Sequence, residues 1–304
     1  MIIVQLMGGL GNQLQQYALY RKMVRMGKEA RLDISWFTQQ DNKNKELTHR
    51  ELELDRLDRL VYEVCTLEEK AQLIGSEGIA GRLRRKLLPG GVKWFRESEM
   101  YHPEIFEFED MYISGYFACE KYYGDILYDL REKIQFPPSA NPLQREMEKE
   151  IKSCCSVSIH IRRGDYLDEV NKAMFGGICT EEYYQSAIHY MLGMFPDAHF
   201  YVFSDDAAYA RRMYQGDKYT VMDFNKGQDS FYDMQLMSFC KHNICANSTF
   251  SFWGARLNPN EGKVMIRPAV HKNSQVFEPE RMYELWQGWT FIDRAGEIFA
   301  REER

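Results

Sequence analysis

Ser156-Val157-Ser158-Ile159-His160-Ile161-Arg162-Arg163-Gly164-Asp165-Tyr166 is the stretch on which the reading of this chain turns. Val157, Ile159 and Ile161 alternate with Ser158 and His160, which predicts a buried strand with one mixed face. The strand runs straight into Arg162-Arg163-Gly164-Asp165. Gly164 permits a sharp turn, and Asp165 can hold a guanidinium or cap the next segment. Arginines leaving the carboxyl end of a buried strand stand where open α/β sheets bind ligands. A guanidinium offers a planar fork matched to phosphate, and it keeps its charge. The expectation is a phosphate or pyrophosphate site. The competing reading is an arginine in a structural ion pair with Asp165.

Downstream, a strand-helix rhythm repeats. Helices are expected over 143–153, 180–195 and 230–240, and from Asp206 to about Tyr214. Strands are expected at His199–Phe203, Tyr219–Met222 and Asn243–Ala246, with Lys263–Arg267 as the last. Glu280–Leu285 and the charged tail are expected to cross back onto the first half. Three strand ends then share one edge of a parallel sheet: Arg162-Arg163-Gly164-Asp165, Ser204-Asp205-Asp206 and Asn247-Ser248-Thr249. That edge carries cations for phosphate, carboxylates for donor groups, and hydroxyls at the start of the helix that runs to Leu257. Asp205 or Asp206 can accept from the N1–H and N2–H₂ edge of guanine; the rival view is that both cap the next helix. No Asp-x-Asp stands at a strand end, so a metal bridging a diphosphate is not expected. The arginine would then stabilise charge growing on a leaving diphosphate.

The first half opens with a strand, Ile2–Leu6, then Gly8-Gly9-Leu10-Gly11-Asn12-Gln13, a helix over 14–26 and a strand at Ala30–Ile34. Gly9-x-Gly11 resembles half of a dinucleotide fingerprint, and Asp33 stands at about the distance of a ribose-binding acid. Leu14 occupies the third glycine position. The Asn12 and Gln13 amides either reach a ligand or belong to a tight, capped turn. Leu47–Leu60 has near-helical apolar spacing, Thr66-Leu67-Glu68-Glu69 is a helix-start signature, and Arg82–Lys86 reads as a solvated basic face. Tyr112–Phe117 is a strand whose tail, Phe117–Tyr123, is either a sugar platform or core. Phe136-Pro137-Pro138-Ser139-Ala140-Asn141-Pro142 is the clearest linker, dividing the chain into 1–138 and 139–304.

The 304 residues are 44% hydrophobic and 28% charged, ordinary for a globular protein, and the net charge of -6 argues against a general affinity for nucleic acid. Seven cysteines form no disulfide framework and are expected as reduced thiols. Cys240, His242 and Cys245 lack a second cluster to complete a zinc tetrahedron, so no metal is expected. No basic n-region or membrane-length apolar run is present, so a cytoplasmic protein without an integral membrane segment is expected.

Four ordered motifs carry a resemblance. Gly8-Gly9-Leu10-Gly11-Asn12-Gln13-Leu14, His160-Ile161-Arg162-Arg163-Gly164-Asp165-Tyr166, Phe203-Ser204-Asp205-Asp206 and Asn247-Ser248-Thr249-Phe250-Ser251-Phe252-Trp253-Gly254-Ala255 resemble the α-1,2-fucosyltransferase family, glycosyltransferase family 11. They span residues 8 to 255. Gln15 stands where the family commonly has Phe, and Phe252 where it often has Trp. The resemblance implies an α/β protein of GT-B architecture, two Rossmann-like domains facing across a cleft. It implies the first domain as the acceptor side and the second as the donor side. It implies inverting transfer from GDP-fucose to the 2-hydroxyl of a terminal galactose, on an oligosaccharide or glycolipid-linked glycan, with no metal. Loose attachment to the inner face of a membrane would follow from such an acceptor. By the same comparison Arg162 holds the diphosphate, His160 and Asp205 contact the nucleoside, and Ser248, Thr249 and Phe250 line phosphate and fucose. Arg163, Asp206, Asn247 and Ser251 complete the donor set, and Gly9, Gly11, Asn12 and Gln13 lie near the junction. Asp33, Asp165 or no strong base, with late proton loss to the leaving phosphate, remain open for deprotonation. Two other classes are weighed: an NAD(P)-dependent oxidoreductase built on Gly9-x-Gly11 and Asp33, and a non-catalytic carbohydrate- or cell-surface-binding protein built on Arg163-Gly164-Asp165.

Overall fold

Short β-branched and aromatic runs, each closed by glycine or a polar turn, alternate with helices among the described residues. The computed structural model describes residues 1–38, 50–75, 92–98, 100–164, 166, 169–275, 278 and 280–299. The chain divides into two units, Met1–Gln135 and Phe136–Arg304.

In the first unit the elements are β1 (Ile2–Gln5), α1 (Leu10–Arg25), β2 (Ala30–Asp33), α2 (Ser35–Thr38), α3 (Leu67–Ile74), β3 (Trp94–Arg96), β4 (Met111–Ser114) and α4 (Leu127–Lys133). The strands form a parallel sheet in the order β2-β1-β4-β3. Ile2, Ile3 and Val4 are wholly buried, as are Leu14, Ala18 and Met23 on α1. α1 begins at Leu10, four residues before the expected Leu14. Gly9 is its N-cap and cannot cap with a side chain; the Glu53 carboxylate accepts the Leu10 N–H at 2.9 Å instead. A cap supplied from 43 residues away is invisible to a local reading. Thr66 and Glu69 close the expected capping box on α3.

Near-helical spacing over Leu47–Leu60 misleads. Within its described part only Leu54–Arg56 forms a single 3₁₀ turn. Gln13 takes the Glu53 and Leu54 N–H groups at 2.8 and 3.3 Å, which satisfies that backbone without a helix. The Arg82–Lys86 run lies outside the described residues. Phe117, Tyr122 and Tyr123 are wholly buried, so the Phe117–Tyr123 tail is core and not a platform.

The second unit runs α5 (Pro142–Ser153), β5 (Ser156–Ile161), α6 (Glu169–Phe175), α7 (Glu181–Met194), β6 (His199–Ser204), α8 (Ala207–Met213), β7 (Tyr219–Met222), α9 (Phe231–Phe239), β8 (His242–Ile244), α10 (Thr249–Leu257), β9 (Met265–Pro268), α11 (Arg281–Leu285), β10 (Trp289–Ile292) and β11 (Ile298–Phe299). The sheet order is β11-β10-β9-β8-β5-β6-β7, parallel throughout except for β11. β5 is buried at every residue, as its alternating pattern with a mixed face requires of a central strand. Val157, Ile159 and Ile161 pack with Tyr183, Ala187 and Met191 of α7. On the mixed face Ser158 Oγ accepts from the Asn243 amide at 2.8 Å.

One expectation about the end of the chain fails: β9 is not the last strand. Trp289, Phe291 and Ile292 are buried and pair β10 with β9 in the second sheet. The signal, an aromatic and β-branched run after Gly288, is too short to stand out beside the polar residues that flank it.

Candidate active site

Strand order decides where this unit can hold a ligand. β5, β6 and β7 proceed one way from the centre and β8, β9 and β10 the other, so the order reverses between β5 and β8. Carboxyl ends at such a reversal splay apart, and the loops leave room between them. Arg162 and Arg163 leave β5 there, and Asn247 and Ser248 follow β8.

The two arginines are held, and Asp205 does most of the holding. Its Oδ2 lies 3.0 Å from Arg162 Nη1, and its Oδ1 accepts the Arg163 backbone N–H at 2.8 Å. The Arg162 and Asp205 side chains are 26% and 23% exposed, so the pair faces solvent and a ligand can reach it. Asp206 does what the rival view expected: it is the N-cap of α8, accepting the Tyr209 N–H at 2.9 Å, and it also takes Arg163 Nε at 3.2 Å. The Tyr209 N–H, with Arg163 beside it, holds Asp206 below the ordinary carboxylate value. The Arg163 guanidinium lies 3.9 Å above the Tyr209 ring. Both acids therefore position cations. Asp165 lies outside the described residues.

α10 supplies the second half of the site. Ser248 is its N-cap, yet makes no capping hydrogen bond with its side chain. The first-turn N–H groups over Thr249–Ser251 stand at the positive end of the helix dipole without a side-chain cap, the geometry that suits a phosphate. Thr249 and Phe250 are half-buried beside it. Ser251 is turned away: its hydroxyl donates back to Ser248 C=O at 3.1 Å. Asn247 is likewise spent on structure. Its amide donates to Phe175 C=O and His271 C=O at 3.1 and 3.2 Å, and its Oδ1 accepts from Cys179 Sγ at 3.4 Å.

His160 sits on β5, 6% exposed, its ring 5.8 Å from Phe250, and its Nδ1 has no hydrogen-bond partner. Burial, with the Arg162 charge adding to it, pushes the imidazole down to about 3. It is a neutral group with a spare polar atom two residues from Arg162, and it is unfit to act as an acid. A small cleft of about 120 Å³ is lined by Arg162 and Arg163 together with Tyr166, Phe175, Tyr209 and Gly176. Tyr166 stacks on Phe175 with centroids 5.1 Å apart, and its hydroxyl donates to Asn247 C=O at 3.0 Å. This aromatic lining was not picked out from sequence; the available signal was the density of Tyr and Phe just after the two motifs.

The glycine loop of the first unit is a built turn. Gly8 has φ +80°, and a Cβ there would fall 2.5 Å from Asn12 Nδ2. Gly9 and Gly11 flank the start of α1. Gln13 is wholly buried and its amide is consumed by Gly8 C=O and Glu51 C=O, at 2.9 and 2.8 Å, and by the N–H groups of Glu53 and Leu54. It clasps the loop and has no face left for a ligand. Asp33 is 2% exposed and accepts from Tyr112 OH at 2.6 Å and Ser35 N–H at 2.9 Å, with Lys70 at 3.0 Å. Burial opposes its ionisation, but these partners more than offset that and hold the carboxyl below its ordinary value. A buried, fully engaged carboxylate of low basicity is structural, which removes Asp33 from the candidate bases. The same engagement leaves no acceptor for a ribose and undercuts the dinucleotide reading.

Cys240, His242 and Cys245 point to separate backbone partners, Leu236 C=O, Val264 N–H and Ser251 C=O. All seven cysteines are free thiols. Among the described residues no group of three or more His, Cys, Asp or Glu could hold a metal ion, and no helix is long and apolar enough to cross a membrane.

The model of glycosyl transferase family 11 matches residues 99–293. An alpha-1,2-colitosyltransferase of Escherichia coli is 33% identical over 275 residues, covering 88% of this chain and 91% of its own. The O-antigen biosynthesis glycosyltransferase WbnK of Escherichia coli is 30% identical over 285 residues, 86% of this chain and 92% of that one. The mouse galactoside 2-alpha-L-fucosyltransferase Sec1 is 28% identical over 132 residues, 42% of this chain and 36% of that one. Among solved structures, NodZ alpha-1,6-fucosyltransferase soaked with GDP-fucose gives a TM-score of 0.45 at 14% identity, covering 85% of this chain and 92% of that one.

Proposed function

The chain belongs to glycosyl transferase family 11, and we propose that it moves L-fucose from GDP-fucose to the 2-hydroxyl of a terminal galactose with inversion at C1. The second unit takes the donor and the first the acceptor. The observation that carries this reading is Arg162, fixed by Asp205 at 3.0 Å beside the uncapped amino end of α10, where the strand order reverses.

In this reading the Arg162 guanidinium and the N–H groups of α10 bind the diphosphate. Negative charge grows on the β-phosphate as the C1–O bond of the donor breaks, and the GDP leaves with the electron pair. Fixed cations and N–H dipoles aimed at that oxygen stabilise the transition state more than the ground state. The same groups do the work that a bridging metal does elsewhere, so none is needed. C1 becomes oxocarbenium-like, and the galactose O2 attacks from the opposite face. Its proton leaves late, to the departing phosphate or to Asp165. His160 meets the nucleoside as a neutral partner. A galactose-terminated oligosaccharide or a glycolipid-linked glycan fits as acceptor.

The experiment is product formation from GDP-fucose and lactose in the presence of EDTA, wild type against Arg162→Ala. Fucosylated lactose from wild type and almost none from the variant is the expected result. Activity that disappears with EDTA would overturn the metal-free mechanism. A second donor reading, colitose in place of fucose, is favoured by the 33% identity to the colitosyltransferase over 88% of the chain. GDP-colitose tested beside GDP-fucose decides between them by the ratio of kcat/KM.

A further inference from the structure

Gly115-Tyr116-Phe117 leaves β4 in a conformation the chain does not adopt unaided. Phe117 has φ 48°, the left-handed region that bulky side chains avoid, and its ring is wholly buried. Four side-chain hydrogen bonds impose it. Glu97 Oε2 accepts the Tyr116 and Phe117 N–H groups at 2.9 and 3.0 Å. Gln15 donates to Tyr116 C=O at 2.8 Å, and Gln16 to Gly115 C=O at 2.9 Å. Gly115 has no room for a side chain, since a Cβ would lie 2.4 Å from Glu97 Cβ. Between that glycine and that buried ring, Tyr116 is 51% exposed.

The place matters as much as the shape. β1 and β4 are the two central strands of the parallel order β2-β1-β4-β3, and their carboxyl ends lie on the edge where open parallel sheets hold ligands. Gln16 ties the two loops together, accepting the Met7 N–H at 2.9 Å while donating to Gly115. The Asn12 amide lies against Gly8, and the Glu53 carboxylate accepts the Leu10 N–H just after the same turn. Tyr116 thus offers an exposed aromatic ring on a loop tied through Gln16 to one that carries groups able to bond hydroxyls. A pyranose has that complement: an apolar face of C–H bonds and a polar rim. In galactose the axial 4-hydroxyl leaves the hydrogens of C3, C4 and C5 together on one face, which an aromatic ring covers well.

We propose that Tyr116 is the platform on which the acceptor, a terminal galactoside, stacks. This rests on the reading of the chain as a transferase acting on galactose. The strained turn fixes the backbone that presents the ring before the sugar arrives, so little backbone freedom is lost on binding.

Rates are measured with the preferred donor and with lactose, N-acetyllactosamine and lacto-N-biose, for wild type and for Tyr116→Phe, Tyr116→Leu and Tyr116→Ala. GDP affinity by calorimetry and Tm are followed for each. Tyr116→Phe keeps the acceptor KM within about threefold, while the Leu and Ala variants raise it about tenfold or more, as loss of an aromatic anchor does. GDP affinity stays within about twofold in all, a split that a general loss of fold does not produce. A wild-type acceptor KM in the Leu and Ala variants overturns the platform. So does a rise in KM matched by an equal loss of GDP affinity. Wild type that binds GDP but uses none of the three galactosides overturns the platform while the donor reading stands. Wild type that fails to bind GDP sinks the donor reading itself, and the platform with it.

Discussion

Asp205 Oδ2 lies 3.0 Å from Arg162 Nη1 in a pair that is about a quarter exposed on both sides. Its other oxygen takes the Arg163 N–H at 2.8 Å, so one carboxylate sets both the cation and the backbone that delivers it. A pair this exposed contributes at most about 1 kcal/mol to folding, and its value lies in aiming the guanidinium.

Asp205→Asn is therefore expected to weaken GDP binding by about tenfold while changing stability little. Calorimetric titration with GDP, ADP and inorganic pyrophosphate reads it. All three should weaken together, because the defect is in the cation. A variant that loses its preference for GDP over ADP but binds pyrophosphate normally would show that Asp205 reads the base.

Gly164 tests the same relationship from the other side. A Cβ on Gly164 would fall 2.8 Å from Asp205 Oδ2, and the carboxylate must move to admit it. Gly164→Ala should lower GDP affinity severalfold with Tm within about 2 °C. Combined with Asp205→Asn it should add little, since both act on one contact. Additive losses would mean that Gly164 serves the ligand directly.

How far the site could be read from sequence is clear from these residues. Arg162 and the start of α10 were legible because strand periodicity and a helix-start motif are local signals, and the sheet rule converts them into a common edge. The tasks of Asp206 and Ser248 were also within reach, as cap positions. What a sequence does not carry is the partner across space. Asp205 on Arg162, Glu53 on the Leu10 N–H, and Tyr112 and Lys70 on Asp33 are contacts between residues as many as 79 positions apart. Each turned an apparent ligand-binding or catalytic group into a positioning one, or fixed an element boundary. The fold was legible in the same uneven way: long alternating strands announced themselves, while Trp94–Arg96, Trp289–Ile292 and Ile298–Phe299 exist because a neighbour supplies the ladder.

Gln13 separates the structural from the binding reading of the glycine loop. Its buried amide serves four backbone groups, and an alanine leaves them without partners. Gln13→Ala should destabilise the protein by about 3 kcal/mol in urea unfolding, the scale for abandoning several buried polar groups. Folded variant protein should bind GDP as wild type does. A Gln13→Ala protein of unchanged stability with lost ligand binding would return the amide to the site.

One buried acid and two buried histidines oppose each other as pH changes. Burial pushes Asp233 up to about 7 from an ordinary 3.8, against the Asn225 hydrogen bond and with help from Asp223. The folded chain therefore binds that proton more tightly than the unfolded one. The stability it contributes is complete below about pH 4 and is lost as pH rises to about 7. His160 runs the other way, pushed down to about 3 from 6.5 by burial and Arg162, and His271 is pushed down to about 3 by burial and neighbouring cations. Their contribution is complete above pH 6.5 and is lost as pH falls toward about 3. Over the shared window the slopes oppose, each by up to about 1.4 kcal/mol per pH unit. Urea unfolding at several pH values should show stability rising more steeply with pH in Asp233→Asn than in wild type, and less steeply in His160→Gln. The Asn variant should also gain on wild type above about pH 7, where it removes a buried charge. Parallel wild-type and Asp233→Asn curves would mean that Asp233 is ionised in the folded protein throughout, with its burial relieved by water.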